Sequence, residues 1–186
     1  MLDTLKRDYP AVVDDVQSNL SVGEIQKVLQ GLLSEQVSIR NLVAILETLA
    51  DYASVTKDAS YLIEKVRQSL SRQVCLQYAD DDRVLRVMTL APTLEQRIVD
   101  SRMETAGGIV PALPPDVQRK FINALSNAVR KVQDDGHLPV ILCSEAARPL
   151  VKASSIREIR DLIVLSVPEI IADIRVEAVA EIRIEE

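Results

Sequence analysis

Apolar residues recur at helical spacing through the first 80 residues of the chain, with polar residues between them. Positions i, i+3, i+4 and i+7 lie on one face of an α-helix, so each run predicts a helix with one buried face. The three runs are Ile25, Val28, Leu29, Leu32 and Leu33; Ile39, Leu42, Val43, Leu46, Leu49 and Ala50; and Leu62, Ile63, Val66, Leu70 and Val74. They follow one another closely, which indicates a compact three-helix unit.

Residues suited to helix N-termini precede each run. Ser21 and Glu24 have the spacing of a capping box, Ser38 can cap the second helix, and Asp58 opens the third. Residues 1–20 predict a short helix, a break at the proline, and a second short helical segment.

The pattern changes after the acidic triplet Asp80–Asp82. Val84–Leu90 predicts a strand and Thr93–Ser101 a short helix. Glycines and prolines make Met103–Pro114 a loop or an irregular hairpin. A long amphipathic helix then begins at Pro115 and ends before Gly136.

Three further strands are predicted after the long helix. Val140–Cys143 and Ile163–Leu165 are wholly apolar, as in strands buried on both faces. The helical segment between them is long enough for a βαβ unit with parallel strands. Apolar and charged residues alternate over Ile174–Ile184, which predicts one buried and one exposed face.

These elements predict a mixed α+β, α/β chain with two subdomains. Residues 1–80 form an all-helical, winged-helix-like subdomain, and residues 81–186 form a small α/β sandwich subdomain with a βαβ unit. The chain has one Phe, four Tyr and no Trp, so we expect an aliphatic core.

The charge of the chain argues against polyanionic partners. Its net charge is −6, from 22 basic and 28 acidic residues, and both halves are acidic. A nucleic acid or an anionic membrane requires a concentrated basic surface. We therefore expect neither as a partner of this part of the protein.

No residue is arranged for catalysis or for metal binding. His137 is the only histidine and follows a helix stop, so it cannot build a multi-histidine site. Cys75 and Cys143 lie in apolar surroundings and are interpreted as reduced core residues. Ser144 is interpreted as an N-cap, and Asp80–Asp82 lacks the ligand spacing of a calcium loop. Phosphate-binding, dinucleotide-binding and nucleophile-elbow motifs are missing, so the sequence predicts no enzyme and no cofactor.

A winged-helix nucleic-acid-binding regulator with an α/β effector domain is the alternative hypothesis. The first two helices of the three-helix unit have the spacing of a helix-turn-helix. Its second helix offers only Arg40 as a base, against Glu47 and Asp51, whereas a recognition helix needs positive potential. A small α/β hydrolase is a third possibility, which the missing motifs disfavour.

The helical block also carries a family resemblance. GEIQKVLQGLLSEQVSIRNLVAILETLADYASVTKD (Gly23–Asp58) and YLIEKVRQSLSRQ (Tyr61–Gln73) resemble the cytoplasmic domain of the FlhA/SctV family, the export-gate proteins of flagella and of type III secretion systems. LRVMTLAPTLEQRI (Leu85–Ile98), PVILCSEAARPLVK (Pro139–Lys152) and DIRVEAVAEI (Asp173–Ile182) resemble later segments of that domain in the same order. The string VSIRNLVAILETLADYA favours the flagellar branch.

The resemblance implies a non-enzymatic part of a protein export gate. It implies a nine-membered ring of identical copies on the cytoplasmic side of the bacterial inner membrane. The implied partners are other copies of the chain, export chaperone–substrate complexes and the stalk protein of the export ATPase. It also implies that the chain is a C-terminal fragment holding the last two of four subdomains, attached to the membrane only through the missing N-terminal part.

Charged residues predicted on the outer helix faces are the candidate contacts between copies. They are Arg40, Glu47, Asp51, Lys57, Arg67 and Arg72. An exposed ion pair contributes about 0–1 kcal/mol, so we expect such contacts to set register more than strength.

Overall fold

The structure is a computed structural model that describes residues 2–105 and 108–185 of the chain. The helices are Leu2–Asp8 (α1), Pro10–Asn19 (α2), Val22–Ser34 (α3), Leu42–Ala53 (α4), Ala59–Ser69 (α5), Ser71–Tyr78 (α6), Pro92–Asp100 (α7), Pro115–Asp134 (α8) and Arg148–Ser155 (α9). The strands are Val84–Leu90 (β1), Arg102–Thr105 (β2), Gly108–Pro111 (β3), Val140–Cys143 (β4), Ile163–Ser166 (β5) and Arg175–Ile182 (β6). The chain divides into two compact units, Met1–Val74 and Cys75–Glu186.

The first unit is all-helical, as predicted. Helix α2 packs against α4, and α5 packs against both α3 and α4. The apolar runs supply most of the core, which is aliphatic throughout. Leu33 is an exception, with 53% of its surface exposed. It lies about 100° around the helix from Leu32, beyond the buried stripe.

The capping box at the start of α3 is confirmed. The Glu24 amide donates to Ser21 Oγ at 3.3 Å, and the Ser21 amide donates to a Glu24 carboxylate oxygen at 2.7 Å. The Ser21 amide and the Ser21 hydroxyl, which both donate to the Glu24 carboxylate, lower the pKa of Glu24. Both orphan amides of the first turn are thereby satisfied.

The predicted start of the second helix is wrong by several residues. Asn41, not Ser38, caps α4, and its side chain accepts from the Ala44 amide at 3.4 Å. Ile39 therefore lies in the preceding loop. Ser38 is held there because its carbonyl accepts from Gln73 Nε2 at 2.9 Å. Asn and Ser are equally good caps, so the sequence alone does not choose between them.

The third predicted helix begins as expected but divides in two. Asp58 caps it by accepting from the Ser60 amide at 3.0 Å. Leu70 ends α5, and α6 begins at the next residue. Ser69 donates its hydroxyl to the Val66 carbonyl at 2.8 Å, a side-chain bond that competes with helix continuation.

The second unit is built on a parallel sheet with strand order β5-β4-β1-β6. Strands β4 and β5 are joined by α9, which confirms the βαβ unit. Helices α7, α8 and α9 cover one face of the sheet. The main core lies there and includes Met88, Leu90, Ile98, Phe121, Leu125, Ile141, Leu150, Val151, Val164 and Ile182.

The hairpin and the last strand differ from regular structure. Strands β2 and β3 pair antiparallel, so the segment predicted as a loop or hairpin is a hairpin; Gly107 lies outside the described residues. In β6 the predicted alternation is wrong before the bulge, because Val176 and Ala178 were expected on the buried face, whereas Val176 is 38% exposed and Ala178 is exposed as well. The pairing with β1 shifts by one residue after Ala178, which makes a bulge and moves the side chains that follow to other faces.

Charged side chains join the beginnings of β1 and β6. Asp80 accepts from the Val84 amide at 2.8 Å and from Arg86 Nη1 at 2.7 Å, and Arg86 also faces Glu177 at 3.6 Å. The Val84 amide and Arg86 lower the pKa of Asp80. The acidic triplet is therefore a structured turn.

None of the helices that the structure describes has the length and apolarity needed to cross a bilayer.

We predict that Asp80→Asn destabilises the chain at neutral pH. Because the folded pKa of Asp80 is lowered, its ionised form stabilises the fold above the ordinary value of 3.8, and this contribution is lost as the pH falls through the folded pKa. Urea unfolding at pH 7 and pH 3 should therefore show a larger difference between wild type and variant at pH 7. An equal difference at both values would contradict the ionic role.

We predict that Gly31→Ala destabilises the helical unit. A Cβ at Gly31 would overlap Ile63 Cδ1 and lie 3.1 Å from Ile63 Cγ1. The gain in helix propensity is about 0.5–1 kcal/mol, whereas overpacking costs about 1–3 kcal/mol. In the Ile63→Val background, which lacks Cδ1 but keeps Cγ1, the same change should destabilise less. Chemical unfolding of wild type, the two single variants and the double variant measures this coupling, and additive effects would refute it.

Candidate docking and assembly surfaces

Five of the six predicted contact residues are exposed, and Arg67 is the exception. Glu47 and Asp51 lie one turn apart on the outer face of α4. Arg40 lies in the loop before α4 and Lys57 in the loop before α5, not on helix faces as predicted. These four side chains are available to a partner, and their role in contacts stays a prediction.

Arg67 is not on an outer face, contrary to the prediction. It is only 2% exposed, and its Nη1 donates to Glu35 Oε2 at 3.2 Å. The pair links α5 to the end of α3. Arg72, on α6, is exposed and stays a candidate. Arg67 lies four residues after Ile63 and three before Leu70, within the predicted apolar stripe, and this spacing was the available signal for its burial.

Sequence reasoning missed an aromatic cluster near the α4–α5 turn. The rings of Tyr52 and Tyr61 are 6.1 Å apart in an edge-to-face arrangement. Lys65 Nζ lies 5.3 Å from the Tyr61 ring centroid and 5.8 Å from that of Tyr52. Val55, in the same turn, is 79% exposed. The i, i+4 spacing of Tyr61 and Lys65 was the available signal.

The cysteines and the histidine offer no reactive site. Cys75 and Cys143 are buried free thiols, as interpreted from the sequence. Burial raises the pKa of Cys75, so its thiol stays protonated. His137 is half-buried after the end of α8. Within residues 2–105 and 108–185, no group of three or more His, Cys, Asp or Glu side chains is placed to hold a metal.

The backbone at the end of β4 is hydrogen-bonded to the carboxylate of Glu95. The Ser144 amide donates to Glu95 Oε1 at 2.8 Å, and Ser144 Oγ accepts from the Ala147 amide at 3.3 Å. Ser144 therefore caps a turn, and α9 begins only at Arg148. A carboxylate from α7 already holds the amide that a bound anion would need.

One shallow depression lies along the outer side of α7. Its volume is about 500 Å³, and its lining residues are Pro92, Thr93, Gln96, Arg97 and Asp100. Gln96 Nε2 donates to Asp100 Oδ1 at 2.8 Å, so the polar groups here are partly engaged with each other. An open surface of this kind suits contact with a macromolecule better than enclosure of a small substrate.

The chain therefore combines an all-helical unit, a parallel α/β unit and a surface of exposed charges. The chain belongs to the FHIPEP family, the FlhA/SctV export-gate proteins, which matches residues 1–175. This confirms the family resemblance inferred from the sequence.

Flagellar proteins are prominent among the relatives. The chain is 50% identical to "Flagellar biosynthesis protein FlhA" of Borreliella burgdorferi over the whole chain and 26% of that protein. It is 39% identical to the Bacillus subtilis protein of the same name, over 99% of the chain and 27% of that protein. The chain thus spans about a quarter of the length of these relatives.

Solved structures agree with the fold over nearly the whole chain. The Chlamydia pneumoniae CdsV protein matches with a TM-score of 0.91 at 27% identity, over 98% of this chain and 52% of that one. The nonameric EPEC SctV-C matches with a TM-score of 0.87 at 28% identity, over 97% and 54%. CdsV in complex with CdsO matches with a TM-score of 0.84 at 27% identity, over 98% and 54%.

We predict that Arg67→Met destabilises the chain by about 3 kcal/mol, because it removes the buried cation that pairs with the partly buried Glu35 carboxylate. The matched surface changes Arg40→Ala and Lys57→Ala should stay within about 0.5 kcal/mol. The double change Glu35→Leu/Arg67→Met should cost less than Arg67→Met alone. Chemical unfolding measures all four, and an Arg67→Met protein as stable as wild type would show that the pair is not structural.

Proposed function

We propose that this chain is a non-enzymatic cytoplasmic part of a flagellar protein export gate. In this proposal, identical copies assemble into a ring on the cytoplasmic side of the inner membrane. The ring docks export chaperone–substrate complexes and the stalk protein of the export ATPase. Its two units correspond to the third and fourth subdomains of the gate's cytoplasmic domain.

The observation that carries the ring proposal is the likeness to a nonameric assembly. SctV-C of EPEC is nonameric, and it shares the fold of the present chain over 97% of the present chain's length. Exposed charges of both signs on the helical unit are consistent with contacts that set the register between copies.

The docking proposal rests on a complex of a relative and on the surface of this chain. CdsV forms a complex with CdsO, and CdsV has this fold. The described residues present exposed charged and apolar side chains and a shallow depression, which suit a macromolecular partner. The acidic character of the chain makes nucleic acid an unsuitable partner.

We predict that charge reversal on the helical unit weakens self-association. Arg40→Glu combined with Asp51→Lys inverts both charges but leaves the net charge unchanged. Sedimentation velocity over a concentration series should show weaker association than wild type, by about tenfold if both charges contact a neighbour. The matched control Arg157→Glu/Glu158→Lys, in the second unit, should associate like wild type.

Equal association of the charge-reversed protein and wild type would contradict the role of these residues. A chain that stays monomeric at every concentration would contradict ring formation by this part of the protein. Tight, strongly salt-dependent binding of duplex DNA would instead support the nucleic-acid-binding alternative.

A further inference from the structure

Helix α8 exposes a basic face that the assembly proposal does not use. Its sequence from Val117 to Gln133 contains Arg119, Lys120, Arg130 and Lys131 but no acidic residue. All four cations are exposed, on a unit that has 14 basic and 18 acidic residues. The net charge of the second unit is negative, so its composition alone does not reveal this positive surface.

Helical geometry places the cations on one side of α8. Arg119 and Arg130 lie eleven residues apart, about three turns or 16 Å along the axis, and Lys120 and Lys131 repeat that spacing beside them. Short polar side chains, Asn123, Ser126 and Asn127, lie between the two cation pairs. This face therefore has a pair of cations at each end and short polar side chains between them. The basic face comprises Arg119, Lys120, Asn123, Ser126, Asn127, Arg130 and Lys131.

The protein leaves this charge largely uncompensated. Among the described residues, no carboxylate lies within 4.0 Å of any of the four cations, and Lys120 Nζ donates only to the Glu185 carbonyl at 2.8 Å. The arginines around β6 behave differently. Arg83 pairs with Asp173, Arg86 with Asp80, Arg175 with Glu177 and Arg183 with Glu181.

We propose that the basic face of α8 binds an acidic α-helical segment of a partner protein. A helix that lies along the basic face can approach α8 closely where the side chains are the short Asn and Ser residues. Carboxylates about three turns apart on that helix then reach the two cation pairs. Such pairs fix orientation and speed association.

The same face suits a phosphate polymer or an anionic bilayer poorly. Each strand of a nucleic-acid duplex carries one phosphate per about 3.4 Å of its axis, and affinity grows with the number of phosphates that cations neutralise. On α8 neutral residues separate the two cation pairs, and the negatively charged Asp116 and Asp134 limit the positive surface at the two ends of the helix. The proposal depends on the docking role proposed above, and it adds the chemistry of one partner and the surface that receives it.

Fluorescence anisotropy with an acidic helical peptide tests the proposal on the whole chain. The probe is a labelled alanine-rich helix with two glutamate pairs about three turns apart, and its matched control carries glutamines instead. The glutamate peptide should bind, and Arg119→Gln/Arg130→Gln should weaken binding by about tenfold. Arg157→Gln/Arg160→Gln removes two other exposed cations of the same unit and should change binding by less than about twofold.

Amide chemical-shift mapping supplies a second readout, since peptide-induced shifts should centre on α8. The proposal is overturned by no binding at about 1 mM peptide, by equal loss in both variants, or by shifts centred elsewhere. Preferential binding of duplex DNA or of phosphatidylserine vesicles at α8 would overturn it as well. Sedimentation of the α8 variant separates the two proposals, because self-association should be unchanged even where peptide binding is lost.

Discussion

The close approach of α3 to α5 is the constraint on which the helical unit depends. Helix α5 packs against both α3 and α4, so its distance from α3 positions the whole group. Gly31 permits that approach because Ile63 occupies the space a larger side chain would need. Arg67 and Glu35 close the same interface at the end of α3. The steric contact sets the distance between the two helices, and the ion pair of buried Arg67 with partly buried Glu35 sets their lengthwise position.

This constraint also determines which charges reach solvent. Arg67 turns inward because α5 presents that side to α3, whereas Glu47 and Asp51 face outward on α4. In an aliphatic core with few aromatic rings, close packing must come from many small contacts rather than a few large ones. Rigid helices of this kind can hold exposed side chains at fixed positions for a partner.

The sequence predicted elements well where one periodicity dominated. The stripes of α3 and α8 and the apolar runs of β4 and β5 specified helix, strand and burial together. It failed where two local choices were equivalent, as with Ser38 and Asn41 as caps, or where tertiary contact decided. The inward turn of Arg67 and the bulge near Val179 depend on neighbours distant in sequence. Contact residues were the least predictable, because an exposed charged residue has the same sequence pattern whether it contacts a partner or only water.

Net charge limits how such a chain can assemble. Both units are acidic, with 8 basic and 10 acidic residues in the first and 14 and 18 in the second, so identical copies repel each other at long range. Over distances beyond the Debye length of about 8 Å at physiological ionic strength this repulsion is largely screened. Contacts at a few ångströms are screened much less. Association between copies must therefore depend on local complementarity, whereas an uncompensated basic face such as that of α8 attracts an acidic partner against the average charge of its own surroundings.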